Sequence, residues 1–302
     1  MGEHFKRRGT LEMVAAMLIC GTIGVTVIVS GQTELSLIFY RCLFGALVLL
    51  GVCLVRGYLS ARILSFKLVL GALAGGAALL ANWYFLFAAY RNTSIGIATA
   101  VYNTQPVMMI LLGWVIFRER LNLATGFWIA VSMFGLIMLS EWGGSEAAPT
   151  AQDAYLLGII QALAAAALYA IAALVARVLK QYPPSLIALF QFLLGVVVLW
   201  PHADLGLLLR PAWNWDFGAT LCLGVVHTGI MYILLYGALQ KIPAYRAASI
   251  SFIYPALAVF IDAVFLDVRL EPAQWWGMML ILLGAAGINL RWTLGRLVKK
   301  LV

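Results

Sequence analysis

Six of the polar side chains inside long apolar stretches of this 302-residue sequence are candidates for a solute site: Asn82, Tyr102, Gln105, His227, Ser251 and Tyr254. Polar groups are costly in hydrocarbon, so they pair with one another or face a cavity. Tyr102 and Gln105 are three residues apart and share one face of a helix, and Ser251 and Tyr254 repeat that spacing. Each pair is followed by a proline, in Gln105-Pro106 and Tyr254-Pro255. Proline has no N–H and frees a backbone carbonyl one turn earlier, which serves a solute or a hinge. Prolines and hydroxyls also tune packing in membrane helices, and that alternative stays open. The set offers amides, hydroxyls, phenol rings and one imidazole. Such groups suit a small, neutral or zwitterionic, amphipathic solute.

Three further residues carry charge or can acquire it. His227 falls in the middle of an apolar run, and an imidazole exchanges protons near neutrality. It either touches substrate and couples protons or makes an interhelical hydrogen bond. Arg41 and Asp262 fall about seven and about five residues below the outer surface, from the helical rise per residue. Together they would form an extracellular gate, or instead a structural pair or a snorkelling arginine. Glu12 begins the first apolar run too near its edge to act as the central acid of a cation exporter. That run otherwise offers Cys20, Thr22 and Thr26. Trp83, Tyr84, Tyr169 and Tyr232 add aromatic surface. The four cysteines show no C-x-x-C and no metal spacing, which fits small buried hydrophobes.

The elements that must position these residues follow from composition. Hydrophobic residues make up 64% of the chain and charged residues 11%, with a mean hydropathy of +0.99. A soluble fold of this size could not hide so much apolar surface. The solvent is therefore lipid. A bilayer core of about 30 Å needs roughly 20 apolar helical residues. Ten such runs are predicted, at about 11–30, 35–55, 68–90, 95–117, 122–141, 154–177, 185–201, 217–239, 244–266 and 273–292. Alanine, glycine and leucine abound without strand-like alternation, which excludes a β-barrel. The first run reads as a retained helix, not a signal peptide.

Charge gives the orientation. With the N-terminus inside, sixteen of the 20 Lys and Arg residues lie on the cytoplasmic side. Arg91, Arg210 and Arg269 lie outside, and Arg41 within a span. The acids Glu34, Glu141, Glu146, Asp153, Asp204, Asp216, Asp267 and Glu271 mark the opposite side. This asymmetry accounts for the net charge of +8 without nucleic acid as a partner. Both termini are expected in the cytoplasm of a multi-pass protein of the cell (inner) membrane.

The sequence also repeats. A shift of 149 residues lays Ala98-Thr99 on Ala247-Ala248, Gln105-Pro106 on Tyr254-Pro255, Arg120-Leu121 on Arg269-Leu270 and Gly135 on Gly284. A shift of 150 lays Arg41–Gly45 on Gln191–Gly195. Each half holds five spans. Because five is odd, the second half must enter the membrane upside down, as in transporters that open alternately to each side. The expected fold is all-α integral membrane, ten transmembrane helices as two inverted-topology five-helix repeats. The expected repeats cover residues 1–143 and 144–302.

The segment from Ala88 to Leu139, with Pro106, Phe117-Arg118-Glu119-Arg120-Leu121 and Gly135, resembles the EamA-type repeat of the drug/metabolite transporter superfamily. A second copy runs from about Gly237 to Asn289. The resemblance implies ten helices around a central cavity and small-molecule transport, most often export of amino acids or related metabolites. One departure is visible: the acidic position held by Glu119 is Val268 in the second copy. The expected substrate site is Asn82, Tyr102, Gln105, His227, Ser251 and Tyr254, with Arg41, Asp262 and His227 as gate or coupling residues. An importer or facilitator of a vitamin-like or drug-like solute is the alternative. Phosphorylated sugars would call for several buried basic residues. No nucleotide-binding loop is present and no cofactor or metal is expected; protons are the favoured coupling ion. Catalytic groupings are absent and every loop is short, which argues against an enzyme or a receptor.

Overall fold

The computed structural model describes residues 3–60, 62–92, 98, 101–119, 122–140, 152–209, 214–265, 272–290 and 292. The repeat matches at Thr99, Arg120-Leu121 and Arg269-Leu270, together with Glu141, Glu146, Val268, Arg210, Asp267, Glu271 and the boundary at 143/144, lie outside those residues. The described residues form a short 3₁₀ turn at Trp200–His202, no strand, and fourteen α-helices. They are α1 (Glu3–Gly21), α2 (Ile23–Ser30), α3 (Glu34–Val55), α4 (Phe66–Asn92), α5 (Gln105–Phe117), α6 (Leu123–Ser140) and α7 (Gln152–Val178). Then follow α8 (Pro184–Leu199), the short α9 (Gly206–Leu209), α10 (Trp215–Gly224), α11 (Met231–Lys241), α12 (Ala244–Ser251), α13 (Ile253–Phe265) and α14 (Pro272–Asn289). A π-helical turn, Val225–Ile230, joins α10 to α11.

Among the described residues six stretches are long and apolar enough to cross a bilayer: His4–Ser30, Glu34–Val55, Phe66–Ala89, Ala154–Val178, Pro184–His202 and Trp215–Lys241. Three shorter apolar helices are Gln105–Phe117, Leu123–Met138 and Trp275–Ile288. Besides the predicted span 11–30, which breaks at Thr22 between α1 and α2, two predicted spans, 95–117 and 244–266, are interrupted instead of continuous. The first breaks at Asn103-Thr104 and the second at Phe252, and a shift of 149 maps Asn103 onto Phe252. The cause is shared. Pro106 and Pro255 supply no amide for the carbonyls of Tyr102 and Ser251, so neither helix passes through the proline unbroken. Helix α1 also begins earlier than its apolar run. Arg8 Nε lies 3.0 Å from Glu12 Oε1, a one-turn ion pair that carries the helix into the basic N-terminal segment.

The chain divides into two compact units, residues 1–80 with 172–241 and residues 81–171 with 242–302. Each unit draws on both sequence repeats. In the first unit α3 packs on α8. Phe39 meets Trp200 with ring centroids 5.8 Å apart, Cys42 abuts Gly195, and Cys53 Sγ donates to Ser185 Oγ at 3.7 Å. Residue numbers rise along one helix as they fall along the other, so the two are antiparallel. They are also repeat mates.

The second unit holds the matching pair, α6 and α14. A Cβ on Gly135 would stand 2.6 Å from Gly277 O and 3.0 Å from Ile281 N. A Cβ on Gly284 would stand 2.7 Å from Trp128 O and 3.0 Å from Ser132 N. The 149-residue shift turns Trp128, Ser132 and Gly135 into Gly277, Ile281 and Gly284. The two sets of contacts are thus one contact seen from either side. Repeat mates that cross antiparallel are what inverted repeats require. Glycine lets the backbones touch, the usual way helices pack in lipid, where no water drives association.

Valine at 135 or 284 should therefore lower the stability of the detergent-solubilised protein by about 1–3 kcal/mol, from overpacking against backbone. Gly126 has open space around it, and Gly126→Ala should hold or raise stability. Thermal unfolding read by tryptophan fluorescence checks both; equal melting temperatures for all three variants would refute the close crossing.

Candidate functional site

In the second unit the interrupted helix beside Pro106 gathers most of the expected residues. Tyr102 ends a helical stretch, Asn103 and Thr104 turn, and Gln105 opens α5. Gln105 Nε2 donates to Tyr254 Oη at 3.0 Å, and Tyr254 Oη donates to Asn103 Oδ1. Gln105 and Tyr254 are repeat mates, so the mates touch each other. On α4, Asn82 Nδ2 donates to Ala165 O at 2.7 Å and lies 3.4 Å from Tyr102 Oη. The Tyr102 ring meets Tyr169 edge-on, with centroids 6.3 Å apart.

Two atoms stand out in this group. Asn82 is fully buried and Gln105 is 4% exposed, and neither Asn82 Oδ1 nor Gln105 Oε1 has a hydrogen-bond partner. A buried carbonyl left unmatched costs about 1–3 kcal/mol. Ser251 is different. Its hydroxyl donates to Ala247 O at 3.0 Å, so its hydrogen is already used within its own helix.

His227 and Arg41 belong to the first unit. His227 lies in the π-helical turn, a widened geometry that often marks functional positions. Its Nε2 is 2.8 Å from Thr22 Oγ1, where α1 gives way to α2. Thr22 donates its own hydrogen to Ile19 O at 2.8 Å. On the far side of the ring Nδ1 lies 3.4 Å from Cys222 O, which can only accept, so the tautomer sets which partner donates in the 2.8 Å bond between His227 and Thr22. That is the interhelical hydrogen bond, one of the two readings open for this histidine. Thr228 donates to Leu223 O at 2.8 Å and accepts from Arg41 Nε at 3.2 Å. Close packing fixes this corner: a Cβ on Gly45 would fall 2.7 Å from Thr228 Cγ2, and one on Gly224 2.3 Å from Phe44 Cβ. Asp262 lies on α13, but its side chain is outside the described residues.

Several polar residues in these clusters carried no prior assignment. Gln191 is buried and accepts from the Tyr236 hydroxyl, with its Nε2 lodged against Gly75 and without a hydrogen-bond partner. The signal for it was available, because Gln191 is the repeat mate of Arg41. Lys241 pairs with Glu12 in the first unit. In the second unit, Glu119 receives the amides of Ala244 at 3.1 Å and Tyr245 at 3.4 Å. These are the orphan donors at the start of α12, so a carboxylate caps that helix from another segment. Arg118, just before it, holds a left-handed conformation at φ 51°, which turns the chain so that Glu119 reaches the helix.

Replacing Glu119 by Ala strands two helix-terminal amides and should cost roughly 1–2 kcal/mol, the usual worth of a lost cap. Glu119→Gln, which still accepts, should lose less. Thermal melts of both variants check the order; a Glu119→Ala variant as stable as wild type would mean the cap is idle.

Known proteins supply the remaining context. The chain is 32% identical over 283 residues to a Bacillus subtilis protein named "Uncharacterized transporter YxxF", covering 93% of this chain and 89% of that one. It is 25% identical to the same organism's "Uncharacterized transporter YwfM", covering 93% of each. An Archaeoglobus fulgidus protein, "Uncharacterized transporter", is 26% identical over 95% of this chain and 97% of its own. One solved crystal structure superposes with a TM-score of 0.79 at 20% identity, covering 93% of this chain and 96% of that one, which supports the fold. The EamA-like transporter family matches twice, over residues 7–141 and 156–290. With both repeats matched and antiparallel mates in each unit, this chain is a multi-pass membrane transporter that belongs to the EamA-like transporter family.

Proposed function

We propose that the protein exports small amphipathic or zwitterionic metabolites, such as amino acids or their derivatives, by alternating access. The observation that carries this reading is the Asn103–Tyr254–Gln105 chain, in which repeat mates meet beside two proline-interrupted helices. Discontinuous helices at a repeat interface are where transporters of this build hold their solutes. The groups present are neutral amides and phenols, which fit neutral and zwitterionic solutes and give no anchor for phosphate. On this reading Asn82, Tyr102, Gln105, Ser251 and Tyr254 serve the substrate, with His227 as a further contact. Arg41 and Asp262 serve the outer gate. Residues 1–143 and 144–302 form the two repeats, and both termini face the cytoplasm of the cell membrane.

Comparing metabolites in the medium of cells with and without the protein tests the function. Selected amphipathic metabolites should accumulate outside only when it is expressed. Gln105→Ala and Tyr254→Ala should abolish that accumulation while folded protein remains in the membrane. Identical media from both cell lines would overturn export. For orientation, reporter fusions at 1, 60, 120, 180, 241 and 302 should read cytoplasmic, and those near 32, 92, 147, 205 and 269 external. A cytoplasmic signal at 147 would contradict this placement.

Coupling follows from the chemistry at hand. Sodium sites favour carboxylates with freed carbonyls, whereas His227 brings the proposed machinery an imidazole, a group that takes up and releases protons. His227→Gln keeps a hydrogen bond to Thr22 but cannot be charged. It should lose pH-driven accumulation in proteoliposomes and retain downhill flux. Continued accumulation by the variant under an imposed pH gradient would rule histidine out as the coupling group.

A further inference from the structure

We infer that the second unit contains a subsite for a nitrogen head group bearing N–H donors, a primary ammonium first of all, received by Asn82 Oδ1 and Gln105 Oε1. This assignment rests on the transport reading and adds which end of the solute this unit recognises. Both oxygens are buried and without a hydrogen-bond partner. Their identity as acceptors is set by their neighbours. Asn82 must turn its nitrogen to Ala165 O, a carbonyl that can only accept. Tyr254 has given its one hydrogen to Asn103, so it accepts from Gln105 Nε2 and leaves Gln105 Oε1 bare. A solute that brings N–H donors removes the cost of both bare carbonyls. A solute that brings only acceptors removes neither.

The rings beside them favour the same guest. Tyr102 and Tyr169 stand edge to face and half-buried next to Asn82, and aromatic faces attract ammonium groups. Neutral carbonyls and rings hold a cation more weakly than a buried carboxylate would, which favours release, the step a carrier must repeat every cycle.

The test uses the purified full-length protein and three probes of one shape: 2-phenylethylamine, its N,N,N-trimethyl derivative and 3-phenylpropionate. Binding is read as a rise in melting temperature with probe concentration. 2-Phenylethylamine should stabilise the protein. The trimethyl probe, which keeps the charge but has no N–H, should bind at least tenfold more weakly, and 3-phenylpropionate should give no shift. Gln105→Leu should weaken 2-phenylethylamine by tenfold or more while the ligand-free melting temperature stays level or rises, because it removes a bare carbonyl and leaves Tyr254 bonded to Asn103. Gln105→Glu should tighten the amine. Equal binding of the amine and trimethyl probes, stabilisation by 3-phenylpropionate, or no shift with any probe would overturn the subsite. Should Gln105→Leu not fold, the three probes on the wild-type protein still decide. Flux of a solute without N–H donors, together with no amine binding, would overturn this subsite and leave transport standing. Amine binding with no export of any metabolite would overturn the proposed export and leave the subsite standing.

Discussion

Two amide hydrogens that do not exist, those of Pro106 and Pro255, govern the polar cluster of the second unit. In hydrocarbon each backbone polar group must find a partner within the protein, because no water supplies one. Both helices stop before the proline and restart, at matching positions of the two repeats. The restart turns side chains that a continuous helix would have pointed elsewhere. Asn103, in the break, faces Tyr254, and Gln105, at the first position of α5, reaches Tyr254 from the other side. The polar cluster is therefore a product of the interruption as much as of the residues in it.

A second constraint acts through glycine. Helices α6 and α14 touch backbone to backbone at Gly135 and Gly284, and Gly45, Gly195 and Gly224 do the same work in the first unit, against Thr228, Cys42 and Phe44. Lipid offers helices no solvent-driven reason to associate, so contact area and dispersion must suffice. Small residues supply that area by bringing the helix axes closer. The close approach also fixes the polar corner at Thr228, whose hydroxyl is held between Arg41 and Leu223.

Much of this was legible in the sequence. Apolar runs located the helices, and the 149-residue repeat identified Gly135 with Gly284 and Gln105 with Tyr254 before any contact was seen. What stayed hidden depends on hydrogen-bond geometry. Nothing in the spacing says that Ser251 would bond to Ala247, that Thr22 would bond to His227, or that Glu119 would cap a helix more than a hundred residues away. The π-helical turn at His227 leaves no mark in hydropathy, because an added residue in one turn changes register and not polarity. Continuous apolar runs likewise concealed the two interruptions, since hydropathy is blind to a missing hydrogen.

The meeting of Gln105 with Tyr254 bears on how such a chain could arise. Under a two-fold symmetry, a residue that touches its own mate lies beside the axis. Were the two repeats separate copies of one shorter polypeptide, that position would always face itself, glutamine on glutamine or tyrosine on tyrosine. A donor amide opposite a phenol can exist there only when the two sides can be altered separately, which fusion of both repeats into one chain allows. The asymmetric pair is thus available to a fused protein and closed to a homodimer of half its length.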